Sequence, residues 1–285
     1  MDDNGRASII YNNNIIWMEG IPSGTYTNPP SKNDLTFPVR GAFYYAWYPE
    51  TWRVSSGALT KFKPDLGYYN SGDPSVVTSH IKSLDYGNIN VGIISWWGQS
   101  SGLDKSRITL LLNTTSLLKS TLKWAVYYED EMKLNPSVEQ IKSDLLYLLT
   151  WYAWHPSYAH INGKPVIFIY NDGGCDVMKR WITATNGEWY VVPKVFSKFY
   201  DCGYQPDAWH QYGPASSFLR HEGYSVSISP GFWKADEDKP RLERLNHSEW
   251  CGHVQDMVDS NEPWQLITTF NEAGEGTLIE PSSDN

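Results

Sequence analysis

Eight short runs rich in β-branched and aromatic residues recur along the chain, and most are separated by stretches with helical spacing. The runs are VRGAFYYAWY (39–48), NVGIISWW (90–97), KWAVYYE (123–129), PVIFIYN (165–171), WYVVPKVF (189–196), DAWHQY (207–212), YSVSIS (224–229) and WQLITTF (264–270). The helical patterns are DPSVVTSHIKSLDYG, opened by an Asp-Pro cap, then DKSRITLLLNTTSLLKS, NPSVEQIKSDLLYLLTWYAWH, DVMKRWITAT and PRLERLNHSEWCGHVQDMVDS. Strands that alternate with helices form parallel sheets, because a crossover helix lets successive strands run the same way. Eight such units close on themselves, so the expected fold is α/β, a single (β/α)8 TIM barrel over residues 39–285. Residues 1–38, rich in Asn, Pro, Gly and Ser, are expected as an amino-terminal extension packed on the barrel. The stretch after the sixth run offers only a short helical segment. Fifteen residues follow Phe270, too few for a full eighth helix, so the final helix is expected to be missing or replaced.

Composition narrows the partners. A chain of 285 residues with a net charge of −9 lacks the cationic surplus that nucleic acid or an anionic membrane surface requires. No stretch reaches the roughly 18 apolar residues of a membrane span, and MDDNGRASII lacks the pattern of a signal peptide. The reading is a soluble monomer without membrane insertion, its compartment open and a secreted or lumenal location compatible. Cys175, Cys202 and Cys251 are widely spaced and odd in number, without a C-x-x-C signature or a closed disulfide framework, and are expected as core or helix residues. The histidines show no H-x-x-x-H or H-E-x-x-H spacing, and Gly173-Gly174 lacks nucleotide-loop context, so neither metal nor cofactor is expected. Aromatic residues make up 15% of the chain, with 14 Trp and 19 Tyr. A sugar-binding cleft walled by flat rings and a large aromatic core account for that surplus equally well.

In barrels of this class chemistry sits at the carboxyl ends of the strands. There the runs carry Tyr45 and Trp47, Trp96 and Trp97, Glu129, Lys194, His210 and Tyr212, and Asn271 with Glu272 and Glu275. Aromatic walls and carboxylates suit glycosidic bond cleavage, in which one group protonates the leaving oxygen while another handles charge at the sugar. The seventh run enters Ser229-Pro230-Gly231 without a carboxylate, so a nucleophile there is disfavoured. The acids cluster after the eighth run, in TTFNEAGEGTLIEP, where Gly274 and Gly276 permit a tight backbone path. Solvated surface glutamates, and for His210 a role as a core histidine, are the alternatives.

FYYAWYPE, LGYYNSGDPSVVTSHIKSL, VGIISWWG and TTFNEAGEGTLIEP together resemble glycoside hydrolase family 99, the endo-α-mannosidase and endo-α-mannanase family, over about residues 40 to 281. The resemblance implies a retaining glycoside hydrolase acting on an α-mannoside-like oligosaccharide or polysaccharide. It implies that Glu272 removes the proton of the sugar 2-hydroxyl to form a 1,2-anhydro sugar, and that Glu275 protonates the leaving group and then activates water. Tyr45, Trp97, Glu129, His210 and Tyr212 match the family's substrate-contacting positions by strand. Where members generally carry Trp after the first glutamate and often His before the second, this chain has Ala273 and Gly274, expected to remove bulk beside the reacting sugar. A glycan-binding barrel without catalysis and a glycosyltransferase-like polysaccharide-assembly protein are the alternative functions.

Overall fold

The alternation of strand and helix signals becomes a rolled parallel sheet wrapped by helices. The computed structural model describes residues 34–52, 60–100, 102–171 and 173–282, together with the strands β1 (Ala7–Tyr11) and β2 (Asn14–Met18), which pair antiparallel in a small sheet of their own. The central sheet contains β3 (Val39–Tyr44), β4 (Val91–Trp96), β5 (Lys123–Tyr128), the short β6 (His160–Ile161), β7 (Lys164–Ile169), β8 (Tyr190–Pro193), β9 (Phe218–His221), β10 (Ser225–Ile228) and β11 (Trp264–Ile267). Its parallel neighbours run β10, β11, β3, β4, β5, β7, β8. The chain thus brings its last strand beside its first barrel strand, as a barrel requires.

The sixth expected strand is reduced to a bridge between Lys194 and His210. The backbone around it still follows β8, with His210 N donating to Pro193 O at 3.0 Å and Val195 N to His210 O at 2.8 Å. Among the described residues no ladder joins this segment to β10. The edge of β10 is instead covered by β9, antiparallel to it, where only a short helical segment was expected. The barrel is therefore (β/α)8-like with a sheet that is not closed by a continuous ladder.

The helices are α1 (Pro74–Tyr86), α2 (Gly102–Leu117), the short α3 (Asp130–Leu134), α4 (Val138–Leu148), α5 (Cys175–Thr185) and α6 (His247–Asp259). Asp73 caps α1 by accepting from Ser75 N, with Pro74 in the first turn, and α6 opens on a capping box of Asn246 and Glu249. That box starts the last helix at His247, seven residues later than the expected PRLERLNHSEW opening. No helix among the described residues is long and apolar enough to cross a membrane.

Two packed layers result. Val39, Phe43, Val91, Ile93, Ala125, Tyr127, Val166, Phe168, Val192 and Leu266 fill the barrel interior. Tyr44, Ile94, Trp96, Trp124, Val126 and Tyr128 face the helices with Ile81, Leu112, Leu145 and Trp181. After β11 the chain makes no eighth helix among the described residues; Asp65 N donates to Pro281 O at 2.9 Å and Pro64 bridges Ser282. At the opposite end, Leu35 N donates to His160 O at 2.8 Å and Phe37 packs edge-on to Trp264 at 5.5 Å. Apart from that lead-in and the hairpin backbone, the expected extension lies outside the described residues.

The cysteine expectation needs correction. Cys175 and Cys202 form a disulfide that ties the start of α5 to the segment after β8. Spacing cannot show such a pair, because the two residues meet only through the tertiary fold. Cys251 is free and exposed on α6.

Candidate active site

Along a strand, successive side chains point to opposite faces. At the carboxyl ends this sends Tyr45, Trp97, Tyr127, Glu129, Tyr170 and Tyr212 to the same side. With Trp47, Glu272 and Glu275 they line one cleft of about 200 Å³. Four strand ends, those of β3, β4, β5 and β7, the bridged segment that ends at Tyr212 and the turn after β11 therefore contribute to one site.

The turn is held from below. Asn271 Oδ1 accepts from Tyr45 N at 2.8 Å and its Nδ2 donates to Tyr45 O at 2.9 Å, which clamps the turn to the end of β3. Tyr48 Oη donates to Asn271 O at 2.8 Å and accepts from Ala273 N at 3.1 Å. Glu272 N donates to Thr269 Oγ1 at 2.9 Å. The backbone then passes Gly276 at φ +66°, where a Cβ would come 2.5 Å from Trp233 O, so glycine is required both by conformation and by space.

Within the cleft the two glutamates differ. Glu272 Oε1 accepts from Gly274 N at 3.1 Å, whereas its buried Oε2 has no hydrogen-bond partner among the described residues. Glu275 Oε2 accepts from Tyr212 Oη at 3.0 Å, and Tyr212 Oη accepts in turn from Tyr45 Oη at 3.1 Å. Burial pushes the Glu272 carboxyl well above the usual range; the charges of Glu275 and Glu129 add to this, and the N–H groups of Glu275 and Gly274 oppose it. Burial also raises Glu275, against the hydrogen bond from Tyr212 and the charges of Lys234 and Arg241. Glu129, 6% exposed, is pushed up to about 8 by burial first, with a hydrogen bond from Ser95 opposing and Glu275 adding. Three carboxyls sunk into one cleft cannot all be ionised cheaply, so the site favours bound protons near neutrality. Among the described residues no group of three His, Cys, Asp or Glu side chains stands where it could hold a metal ion.

The structure does not bring every expected residue to this cleft. Trp96 is corrected: its ring is fully buried on the helix side, packed on Tyr128 at 5.4 Å and Tyr147 at 6.2 Å. His210 lies one layer below the cleft, enclosed by Phe43, Tyr127 and Phe168, with Nδ1 donating to Val192 O at 2.9 Å and Nε2 accepting from Tyr127 Oη at 3.2 Å. Burial lowers its pKa to about 3, so it is a neutral core histidine. Asn271 is a buried clamp with no exposure to the cleft. Lys194 stands behind the wall, its Nζ 4.8 Å from the Tyr170 ring centre. Tyr45 and Trp97, expected at substrate-contacting positions, both line the cleft; Tyr45 is buried against Trp47 at 4.6 Å while Trp97 is half-buried with Nε1 donating to Ser95 Oγ at 3.0 Å. Ala273 points into a cluster of Tyr48, Trp52, Tyr69 and Val76, not toward the cleft, so the bulk missing beside Glu272 is missing at Gly274 alone. Tyr127 and Tyr170 are cleft residues that the strand-end reading passed over.

The model of glycosyl hydrolase family 99 matches residues 48–194, which carry Trp97, Glu129 and Tyr170 but end before the carboxylate turn. The glycoprotein endo-alpha-1,2-mannosidase of Rattus norvegicus is 26% identical over 265 residues, covering 78% of this chain and 56% of that protein. That of Mus musculus is 27% identical over 118 residues, 39% of this chain and 26% of that protein. The chain thus spans little more than half the length of the first of these curated relatives and about a quarter of the second. Among solved structures, the endo-alpha-mannosidase of the same family from Bacteroides thetaiotaomicron superposes with a TM-score of 0.70 at 23% identity, covering 86% of this chain and 87% of that one. At that identity the likeness is one of fold.

Proposed function

The chain belongs to glycosyl hydrolase family 99, and from that premise we propose that it is a retaining glycoside hydrolase that cleaves α-mannoside-containing glycans with Glu272 and Glu275. The observation that carries this is the pairing of the two glutamates on one turn in an aromatic cleft, one with a carboxylate oxygen left open and the other bonded to a tyrosine.

In this reading the open Oε2 of Glu272 takes the proton of the sugar 2-hydroxyl while that oxygen attacks the anomeric carbon. The glycosidic C–O bond breaks as Glu275 gives its proton to the leaving oxygen, and a 1,2-anhydro sugar remains. Glu275, now ionised, then takes a proton from water as the water oxygen attacks the anomeric carbon. The epoxide C–O bond opens and Glu272 returns its proton to the 2-oxygen, so two inversions give net retention. The raised pKa lets Glu275 keep its proton closer to neutral pH, while Glu272 is pushed up further still, so the reactive form is the one in which Glu272 is ionised, and then a stronger base, with Glu275 protonated. A neutral Glu129 can donate a hydrogen bond to a sugar oxygen.

The test is turnover of α-mannoside oligosaccharides by Glu272→Gln and Glu275→Gln, each expected to lose about 10²–10⁴ in rate while still binding substrate. A substrate lacking the 2-hydroxyl should bind and resist cleavage. Trapping a covalent sugar adduct on either glutamate would overturn the anhydro route in favour of direct carboxylate attack.

A further inference from the structure

The turn carries a third carboxylate, Glu280, and it has no place in the cleft. Its side chain is 2% exposed, and no Lys or Arg salt bridge to it is found among the described residues. Both oxygens are nonetheless used: Oε2 accepts from Tyr69 Oη at 2.9 Å, and Oε1 accepts from His80 Nε2 at 2.9 Å. His80, 1% exposed on α1, turns its Nδ1 to Tyr44 Oη at 2.9 Å. With Nε2 protonated, each donor in this row has one acceptor.

The row continues toward the chemistry. Tyr69 Oη, while donating to Glu280, accepts from Asn271 Nδ2 at 3.2 Å. Asn271 is the clamp that holds the Tyr45 backbone on both sides, and Glu272 is its chain neighbour. Tyr45 Oη donates to Tyr212 Oη, which donates to Glu275 Oε2. Glu280 itself closes the base of the turn, its N donating to Phe270 O at 2.9 Å. One buried carboxylate thus sets the orientation of Tyr69, through Tyr69 that of Asn271, and through Asn271 the place of the turn.

We infer that Glu280 and His80 are positioning residues, which fix Glu272 and Glu275 through Tyr69 and Asn271 without touching substrate. Only a carboxylate accepts from both partners at once. An amide at this position offers one oxygen and turns an NH2 toward the second donor. Facing Tyr69, that NH2 leaves the Tyr69 O–H without an acceptor; facing His80, it shifts the ring proton to Nδ1 and leaves the Tyr44 O–H without one. A buried donor without an acceptor is costly, so the turn relaxes to repair it.

The inference rests on the reading of Glu272 and Glu275 as the reacting groups. It is tested with Glu280→Gln and, should that variant fail to fold, with Tyr69→Phe, which keeps the buried ring and removes the linking hydroxyl. With an α-mannoside oligosaccharide the expected result is a kcat lowered by about 10²-fold, the effect of a displacement near 1 Å, with KM changed little. The acidic limb of the kcat/KM profile should move to lower pH, because a loosened turn admits water to both carboxyls. His80→Gln, which keeps an N–H toward Glu280, should retain more activity than His80→Leu. A purely structural anchor would lower the melting temperature and leave kcat per folded molecule and the pH limb unchanged, and that result would overturn the inference. If Glu272→Gln itself proves fully active, the functional reading fails and this inference falls with it; if Glu272→Gln is inactive while Glu280→Gln and Tyr69→Phe match the wild type, this inference alone falls.

Discussion

Glu129 offers a quantitative handle on what the cleft costs the fold. Its pKa rises from 4.5 in the free side chain to about 8, chiefly through burial. In that interval the folded protein keeps a proton that the unfolded chain has released, so unfolding becomes easier as pH rises. At 1.36 kcal/mol per unit, this one group removes about 2–3 kcal/mol of stability between pH 5 and pH 7. Glu129→Gln has the same shape, keeps an acceptor for Ser95, and does not titrate. The stability of the variant relative to the wild type should therefore grow by about 2–3 kcal/mol over that range. Urea unfolding followed by tryptophan fluorescence at pH 5, 6 and 7 measures it directly. A difference between the two proteins that stays constant with pH would show that Glu129 is not held as a buried acid, and the electrostatic account of the cleft would have to be withdrawn.

Other expectations follow from packing and covalent structure. Gly92 on β4 faces the Trp124 ring, and a Cβ there would come 2.2 Å from it, so Gly92→Ala should cost about 1–3 kcal/mol in a thermal or urea melt. The Cys175–Cys202 bridge closes a separation of 27 residues, and replacing both cysteines by serine should lower stability by about 3–4 kcal/mol in the loop-entropy picture. If the proposed function holds, Trp97→Ala should raise KM for an oligosaccharide by up to about tenfold with a smaller change in kcat, since the ring lines the cleft and its Nε1 bonds to Ser95, not to Glu272 or Glu275.

The barrel was legible because its signals are local. Val91–Trp96 and residues 124–128 are near-continuous apolar runs that fit burial on both faces, and Asp73-Pro74 marks the start of α1 without help from the rest of the chain. What was not legible depends on contacts across the sheet. The run at 207–212 has the composition of a strand but pairs on one side only, so it becomes a bridge. Ser225–Ile228 finds its second neighbour in β9, a segment without a strong apolar pattern, because a hairpin partner one short turn away covers that edge.

The same distinction governs the site, and it reduces to a rule that could have been applied to the sequence. Taking every residue near a strand end as a candidate mixes two faces, whereas the barrel interior takes alternate ones. Phe43, Ile93, Ala125 and Phe168 point inward, so Tyr45, Trp97, Tyr127, Glu129 and Tyr170 must follow them, and Tyr44, Trp96 and Tyr128 must turn to the helices. Parity alone therefore separates Trp97 from Trp96 and adds the two missed tyrosines. It does not rank depth: His210 has the right parity and sits a layer too low, which only the rise along the strand decides. Nor does it reach the turn at 271–280, where the backbone is neither strand nor helix. There the third carboxylate is the informative residue, because a glutamate that ends an apolar segment and is not in the cleft must find its partners inside the protein.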